Sequence, residues 1–282
     1  MLKVKTVSLF FLLSLLCKPF VNAQVVCCSP ANEQFVANAD DKNFRNEHDL
    51  AAFDQNKKLK GKMIRIATPD SDSASAYFLE PKKPGNKWLF VFHEWWGLND
   101  HIKSEADMLF DDLKDVNVIC LDLYDGNVAQ NREQASDFMK SADEYRIRQI
   151  IRAAIDLAGY EAKISTIGWC FGGTWSMQAS IMTGRQGKAC VIYYGMPELV
   201  RASLIPLKAD VMGIFAEKDQ WINTEIVTQF SDLMDVLQKN LDLVVFPADH
   251  AFANPSGSNY EQSMAKEARA ISTEFLKAKF EE

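Results

Sequence analysis

Three residues whose chemistries belong together sit at comparable points of this chain. They are Cys170 in Gly168-Trp169-Cys170-Phe171-Gly172-Gly173, Asp219 in Ala216-Glu217-Lys218-Asp219-Gln220, and His250 in Pro247-Ala248-Asp249-His250-Ala251-Phe252. A cysteine attacks as its thiolate, so it needs a base, and an imidazole base needs an acceptor to fix its tautomer. Each of the three follows an apolar run of strand type, at residues 162–167, 211–215 and 241–246. The glycines around Cys170 suit a sharp strand-to-helix turn that projects a nucleophile, and the order nucleophile, acid, base fits such an elbow. Glu217 and Asp249 are neighbouring carboxylates that would replace Asp219 with a different loop orientation. No lysine follows the glycines and dinucleotide spacing is missing, which disfavours a phosphate-binding loop. A buried structural cysteine in an ordinary turn is the bland alternative for the hexapeptide taken alone.

A fourth strand end, after residues 88–92, carries His93-Glu94-Trp95-Trp96-Gly97-Leu98-Asn99. This loop is placed to give a second backbone oxyanion donor, the N–H of Trp95, beside that of Phe171. The helix start behind Cys170 favours the thiolate, whereas the carboxylate of Glu94 opposes it. Trp96 and Trp95 are expected to line an apolar pocket, and His93 to be a core or supporting histidine. His101 is read as a solvated or capping residue, and His48 as inert.

These strand ends must be organised by a sheet. Residues 63–67 and 74–79 read as an antiparallel hairpin, after which strands alternate with helices, including one long helix over 132–158. Near-continuous apolar strands between helices imply an α/β fold, a mostly parallel sheet of about eight strands with helices on both faces. About sixteen residues separate the strand at 189–194 from that at 211–215, too few for a cap domain, so an open site suited to small soluble substrates is expected. Ligands in such sheets bind beyond the carboxyl ends of the strands.

The chain of 282 residues opens with a basic flank, an apolar run over 7–17 and Val21-Asn22-Ala23, the pattern of a secretory leader cleaved near Ala23. Leu16 before Cys17 argues against a lipid anchor. Residues 24–60 form a polar extension and 61–282 one domain, exported to a periplasm or secreted. Three lysines and no acid leave with residues 1–23, moving the formal charge from −7 to about −10. That acidity disfavours nucleic acid and anionic membranes as partners. Of the five remaining cysteines, Cys120 and Cys190 fall in strand patterns as core residues, and Cys27 and Cys28 sit in the extension without metal-ligand spacing. No cofactor or metal is implied, and a monomer or weak homo-oligomer is expected.

The combination of the His93–Asn99 loop, Leu121-Asp122-Leu123-Tyr124-Asp125-Gly126, the elbow, and Asp249-His250-Ala251-Phe252 resembles the dienelactone hydrolase (carboxymethylenebutenolidase) family, over roughly residues 61–280. The resemblance implies an α/β-hydrolase core and a Cys170-His250-Asp219 triad that opens a small lactone, ester or thioester through an acyl-enzyme. It implies that Glu94 holds the resting thiol until substrate arrives. Arg132, in Arg132-Glu133-Gln134-Ala135, matches one of two arginines that bind a substrate carboxylate in that family. The second is Asn254 here, and a tyrosine one turn beyond the first is Ser136, which puts dienelactone itself in doubt. Tyr124 and Trp96 complete the expected substrate contacts. Two other roles fit the scaffold: a non-catalytic binding protein, or a redox function of Cys170 with Cys27 or Cys28.

Overall fold

The structure is a computed structural model that describes residues 30–282 apart from Gln55. The leader with its cleavage near Ala23, and the Cys27-Cys28 pair, lie outside the described residues. Two short helices come first, α1 (Pro30–Val36) and α2 (Lys42–Asn46), the latter capped by the Asp41 side chain, which accepts from Asn43 N–H. The hairpin β1 (Lys62–Ala67) and β2 (Ser73–Leu79) follows, then β3 (Lys87–Phe92), α3 (Asp100–Leu113) and β4 (Asn117–Leu121).

The long helix expected over 132–158 is two helices, α4 (Arg132–Ser141) and α5 (Glu144–Ala158). Ala142 turns to an extended conformation (φ −62°, ψ 113°), and the Asp143 side chain caps the new start by accepting from Tyr145 N–H. A short polar side chain that satisfies a free backbone donor competes well with helix continuation. The chain continues through β5 (Lys163–Trp169), α6 (Phe171–Thr183), β6 (Gly187–Tyr193), α7 (Arg201–Leu204), β7 (Asp210–Ala216), α8 (Thr224–Val236), β8 (Leu241–Phe246) and α9 (Gln262–Glu281).

The strands form one eight-stranded sheet in the order β1-β2-β4-β3-β5-β6-β7-β8, as the alternation of strand and helix patterns implies. β1/β2 and β2/β4 pair antiparallel and every other pair is parallel. The inner strands are buried along almost their whole length because helices cover both faces, whereas β1 and β8 at the edges alternate with exposed residues. After β3 the chain moves outward to β4 and then returns across β3 to β5. This reversal opens a crevice at the carboxyl ends of β3 and β5, where the Glu94 loop and Cys170 emerge.

Candidate active site

The elbow is built by close approach of backbones. A Cβ on Gly168 would lie 2.0 Å from Gly172 O, and one on Gly172 would lie 2.3 Å from Phe92 O, so larger residues would push the strand and helix apart. Cys170 itself takes φ 57°, ψ −121°, a conformation costly for a residue with a side chain, on the order of 1–3 kcal/mol. Its backbone is held by Cys170 N–H donating to Tyr193 O at 2.9 Å and Gly173 N–H donating to Cys170 O at 2.9 Å. The surrounding fold imposes this strain to present the sulfur above the sheet.

Asp219 and His250 emerge beside it from β7 and β8. His250 Nδ1 lies 2.6 Å from Asp219 Oδ2, and Asp219 Oδ1 accepts from Trp221 N–H and Ile222 N–H, each at 2.9 Å. Burial works against ionisation of Asp219, but the facing imidazole and these hydrogen bonds outweigh it and hold its pKa below the usual value. A carboxylate only accepts, so His250 donates from Nδ1 and turns Nε2 inward. That nitrogen is buried and finds no hydrogen-bond partner among the described residues.

The thiol of Cys170 is fully buried, and its pKa lies well above the ordinary cysteine value. Burial is the main cause and the Glu94 charge adds to it, while the N–H groups of Phe171 and Trp95 act in the opposite direction. The favourable helix start is therefore overridden, and the resting species is the thiol. Both backbone donors expected to hold an oxyanion bear on this sulfur.

Glu94 accepts from Asn254 Nδ2 at 2.5 Å and from Tyr194 O–H at 3.5 Å, and burial lifts its pKa to about 7. Asn254 thus orients Glu94 at the position where the family resemblance would put an arginine. Its own Oδ1 is fixed by Ser256 N–H at 2.8 Å. Tyr194, held at φ 36°, was not singled out from sequence because it ends an ordinary apolar strand run. His93 joins two loops, donating from Nδ1 to Glu94 O at 2.6 Å and accepting Leu123 N–H on Nε2 at 3.0 Å. Tyr124 packs on His93 and Phe171, with ring centroids 4.9 and 5.6 Å away. A cavity of about 520 Å³ opens against Glu94, Trp96 and Asn254, walled further by Trp169, Tyr193 and Met108.

Three expectations change. The site is not open: Cys170 and His250 are both 0% exposed, because the segment before β1 lies over them. Phe44 of α2 is the plug, with ring centroids 5.6 Å from Trp95, 5.2 Å from Trp221 and 5.7 Å from His250. His48 is not inert. It is fully buried, its Nδ1 lies 2.6 Å from Phe44 O, and its Nε2 lies 3.6 Å from Cys170 Sγ. A carbonyl only accepts, so Nδ1 carries the proton and Nε2 receives the thiol S–H. Burial, with His250 nearby, lowers the His48 pKa to about 3, which keeps the ring neutral.

Arg132 does not line the cavity either. Its Nε donates to His48 O at 3.0 Å and its Nη2 pairs with Asp49, so the guanidinium fastens the covering segment. Ser136 Oγ, one turn on, donates to Ala39 O at 2.9 Å and serves the same end. The inert reading of His48 fails because nothing in a polar, weakly periodic stretch signals burial. A phenylalanine four residues before a histidine was the one available hint.

Against known proteins, the dienelactone hydrolase family profile matches residues 74–280. A protein of Aquifex aeolicus provisionally named a carboxymethylenebutenolidase is 30% identical over 216 residues, covering 71% of this chain and 91% of its own length. Carboxymethylenebutenolidase 1 of Cupriavidus pinatubonensis is 25% identical over 228 residues, covering 76% and 95%. A solved structure from Klebsiella pneumoniae, provisionally named a dienelactone hydrolase, superposes with a TM-score of 0.65 at 19% identity, covering 78% of this chain and 99% of that one, and so shares the fold. With its elbow, crevice and strand-end residues so arranged on an α/β-hydrolase sheet, the chain belongs to the dienelactone hydrolase family.

Proposed function

We propose that this protein hydrolyses a small ester, lactone or thioester through an acyl-enzyme on Cys170. The observation that carries this reading is the convergence on one buried sulfur of two backbone donors and a carboxylate-backed imidazole. Substrate enters by the cavity beside Glu94, whose aromatic walls suit a compact, partly apolar molecule. The sulfur attacks the carbonyl carbon, and the N–H groups of Trp95 and Phe171 take the developing oxyanion.

His250 is the base. Asp219 stabilises the imidazolium that forms there, whereas His48 has only a carbonyl behind it and a pKa near 3, so it orients the thiol without retaining its proton. His250 returns the proton to the leaving oxygen or sulfur and then activates water against the thioester. With Asn254 engaged by Glu94 and Arg132 by Asp49, neither position that the resemblance gives to a carboxylate clamp supplies a free guanidinium, which disfavours dienelactone itself as the substrate. The proposal includes export, resting on the leader-like residues 1–23.

The test is turnover of a small-ester and lactone panel by the intact chain beside Cys170→Ala and His250→Ala. Activity in the intact chain and its loss in both variants is expected. Equal slow hydrolysis by all three would refute the assignment.

A further inference from the structure

The pairing of His48 with Cys170 creates a second arrangement that the hydrolytic reaction does not require. One donor atom from each of His48, Cys170 and His250 lies within 4.8 Å of the other two, and all three residues are buried. We propose that these residues bind one thiophilic d10 cation, Zn²⁺ or Cu⁺, between the sheet and the covering segment. A thiolate with two imidazole nitrogens in a buried pocket is a donor set that such cations prefer over calcium or magnesium.

The distances suit the assignment. Donors around a tetrahedral zinc, bound at about 2.0–2.1 Å to nitrogen and about 2.3 Å to sulfur, stand roughly 3.3–3.7 Å apart. The 3.6 Å between Cys170 Sγ and His48 Nε2 is already in that range. Closing the remaining separations takes movements of about 1 Å, well within a rotation of the imidazole.

The outer partners fit as well. Metal-binding histidines characteristically donate their other ring N–H to a carboxylate or a backbone carbonyl, which aims the lone pair at the ion. Both histidines do so here, His250 to Asp219 and His48 to Phe44 O. The His250 Nε2 so aimed is the buried atom that has no hydrogen-bond partner among the described residues. Phe44, Trp95, Trp221 and Tyr194 surround the imidazoles with aromatic rings. On binding, the S–H bond breaks, its proton leaves to solvent, and sulfur donates the retained pair to the cation. Nothing is oxidised or reduced. For Zn²⁺, the thiolate and the Asp219 carboxylate together balance the charge.

The ligands are invisible as a spacing motif because His48 and Cys170 stand 122 residues apart. A bound ion occupies the nucleophilic sulfur and fastens the covering segment to the sheet, so metal binding and ester cleavage exclude one another. The inference needs only the three ligands, and it stands whether or not Cys170 acts as a nucleophile.

The test uses the full chain, stripped with chelator and then titrated with Co²⁺ as a spectroscopic probe and with Zn²⁺ against a chromophoric chelator. One ion per chain and a thiolate-to-cobalt charge-transfer band are expected. Cys170→Ser should abolish the band, and His48→Gln should weaken Zn²⁺ binding by at least the roughly 10–100-fold that loss of a ligand's outer partner alone costs. Arg132→Ala loosens the segment but keeps every ligand, and it should retain the band. Failure to retain any ion overturns the site, as does binding unaffected by Cys170→Ser or His48→Gln. A band lost equally in Arg132→Ala and His48→Gln overturns ligation by His48. Ester turnover is a separate readout, so hydrolysis lost in Cys170→Ala without any metal binding rejects this proposal and leaves the hydrolase reading intact.

Discussion

The sheet and the segment that covers it meet at Cys170, yet they are built on different principles. In the sheet, Cys170, Asp219, His250 and Glu94 each stand just past the end of a parallel strand, so the strands' hydrogen-bond register fixes their mutual positions. In the segment, helices of seven and five residues are too short to hold themselves, and a few buried aromatics with several side-chain ties do the work instead. Phe35 and Phe44 are fully buried, each contributing about 1.5–3 kcal/mol, while Arg132, Ser136 and Trp221 grip the backbone and side chains around them. The family profile begins at residue 74, so the covering piece lies wholly before it. The sheet thus sets which bond chemistry is available, and the segment sets when the sulfur is reachable.

The largest effect that follows is in the sheet. On the proposed hydrolytic reading, Cys170→Ala should lower ester turnover by about 10⁴-fold or more, with Asp219→Asn close behind, because the members of such a triad act as a unit. Steady-state kinetics on the best substrate of the panel checks this. A comparable loss in a segment variant that leaves the sheet intact would break the division of labour. The sharpest such variant is Phe44→Ala, which costs about 3–5 kcal/mol in a packed site once the cavity it leaves is added to the lost burial. Since part of that cost is relieved by relaxation, alkylation of Cys170 by iodoacetamide should accelerate by about 10–100-fold, while turnover holds or rises. Unchanged alkylation would mean that the segment does not control access.

The same contrast explains what could be read without coordinates. Apolar runs bounded by turn residues located the strands, and strand ends carrying a cysteine, an aspartate and a histidine located the constellation, because a parallel sheet converts linear order into spatial order. The break at Ala142 escaped because its neighbours keep helical periodicity and the capping role of Asp143 is a local competition. The cover escaped for a deeper reason. Phe44 and His48 are buried by docking onto another part of the chain, and no periodic pattern is needed for one aromatic plug. Arg132 was noticed for its type, but its partner, Asp49, sits in that same unpatterned stretch.

Glu94 lies on the boundary between the two regions and supplies a pH test. Its pKa of about 7, raised by burial, leaves it neutral below pH 7 and charged above, where its charge opposes formation of the thiolate. Glu94→Gln should therefore speed alkylation of Cys170 severalfold above pH 7 and leave it little changed below pH 6. Stability moves consistently. The native state holds the Glu94 proton more tightly than a free glutamate at 4.5, so stability falls as pH rises from about 4.5 through about 7, and the variant should lose that slope in chemical unfolding. Pure segment control of the thiol would instead make the alkylation difference independent of pH.

The smallest effect separates the two oxygens of that carboxylate. Asn254 donates to Oε2 at 2.5 Å and Tyr194 to Oε1 at 3.5 Å, at the edge of hydrogen-bonding range. Tyr194→Phe should therefore change turnover by no more than about threefold, since a long hydrogen bond is worth less than the roughly 1 kcal/mol of a normal one. Asn254→Ala frees the carboxylate toward the cavity and should weaken substrate binding more than it slows the chemical step, raising KM with kcat nearly preserved. A larger loss in Tyr194→Phe than in Asn254→Ala would reverse this order. It would place the strained tyrosine beside His250, 5.1 Å between ring centroids, as the residue that sets the position of the base.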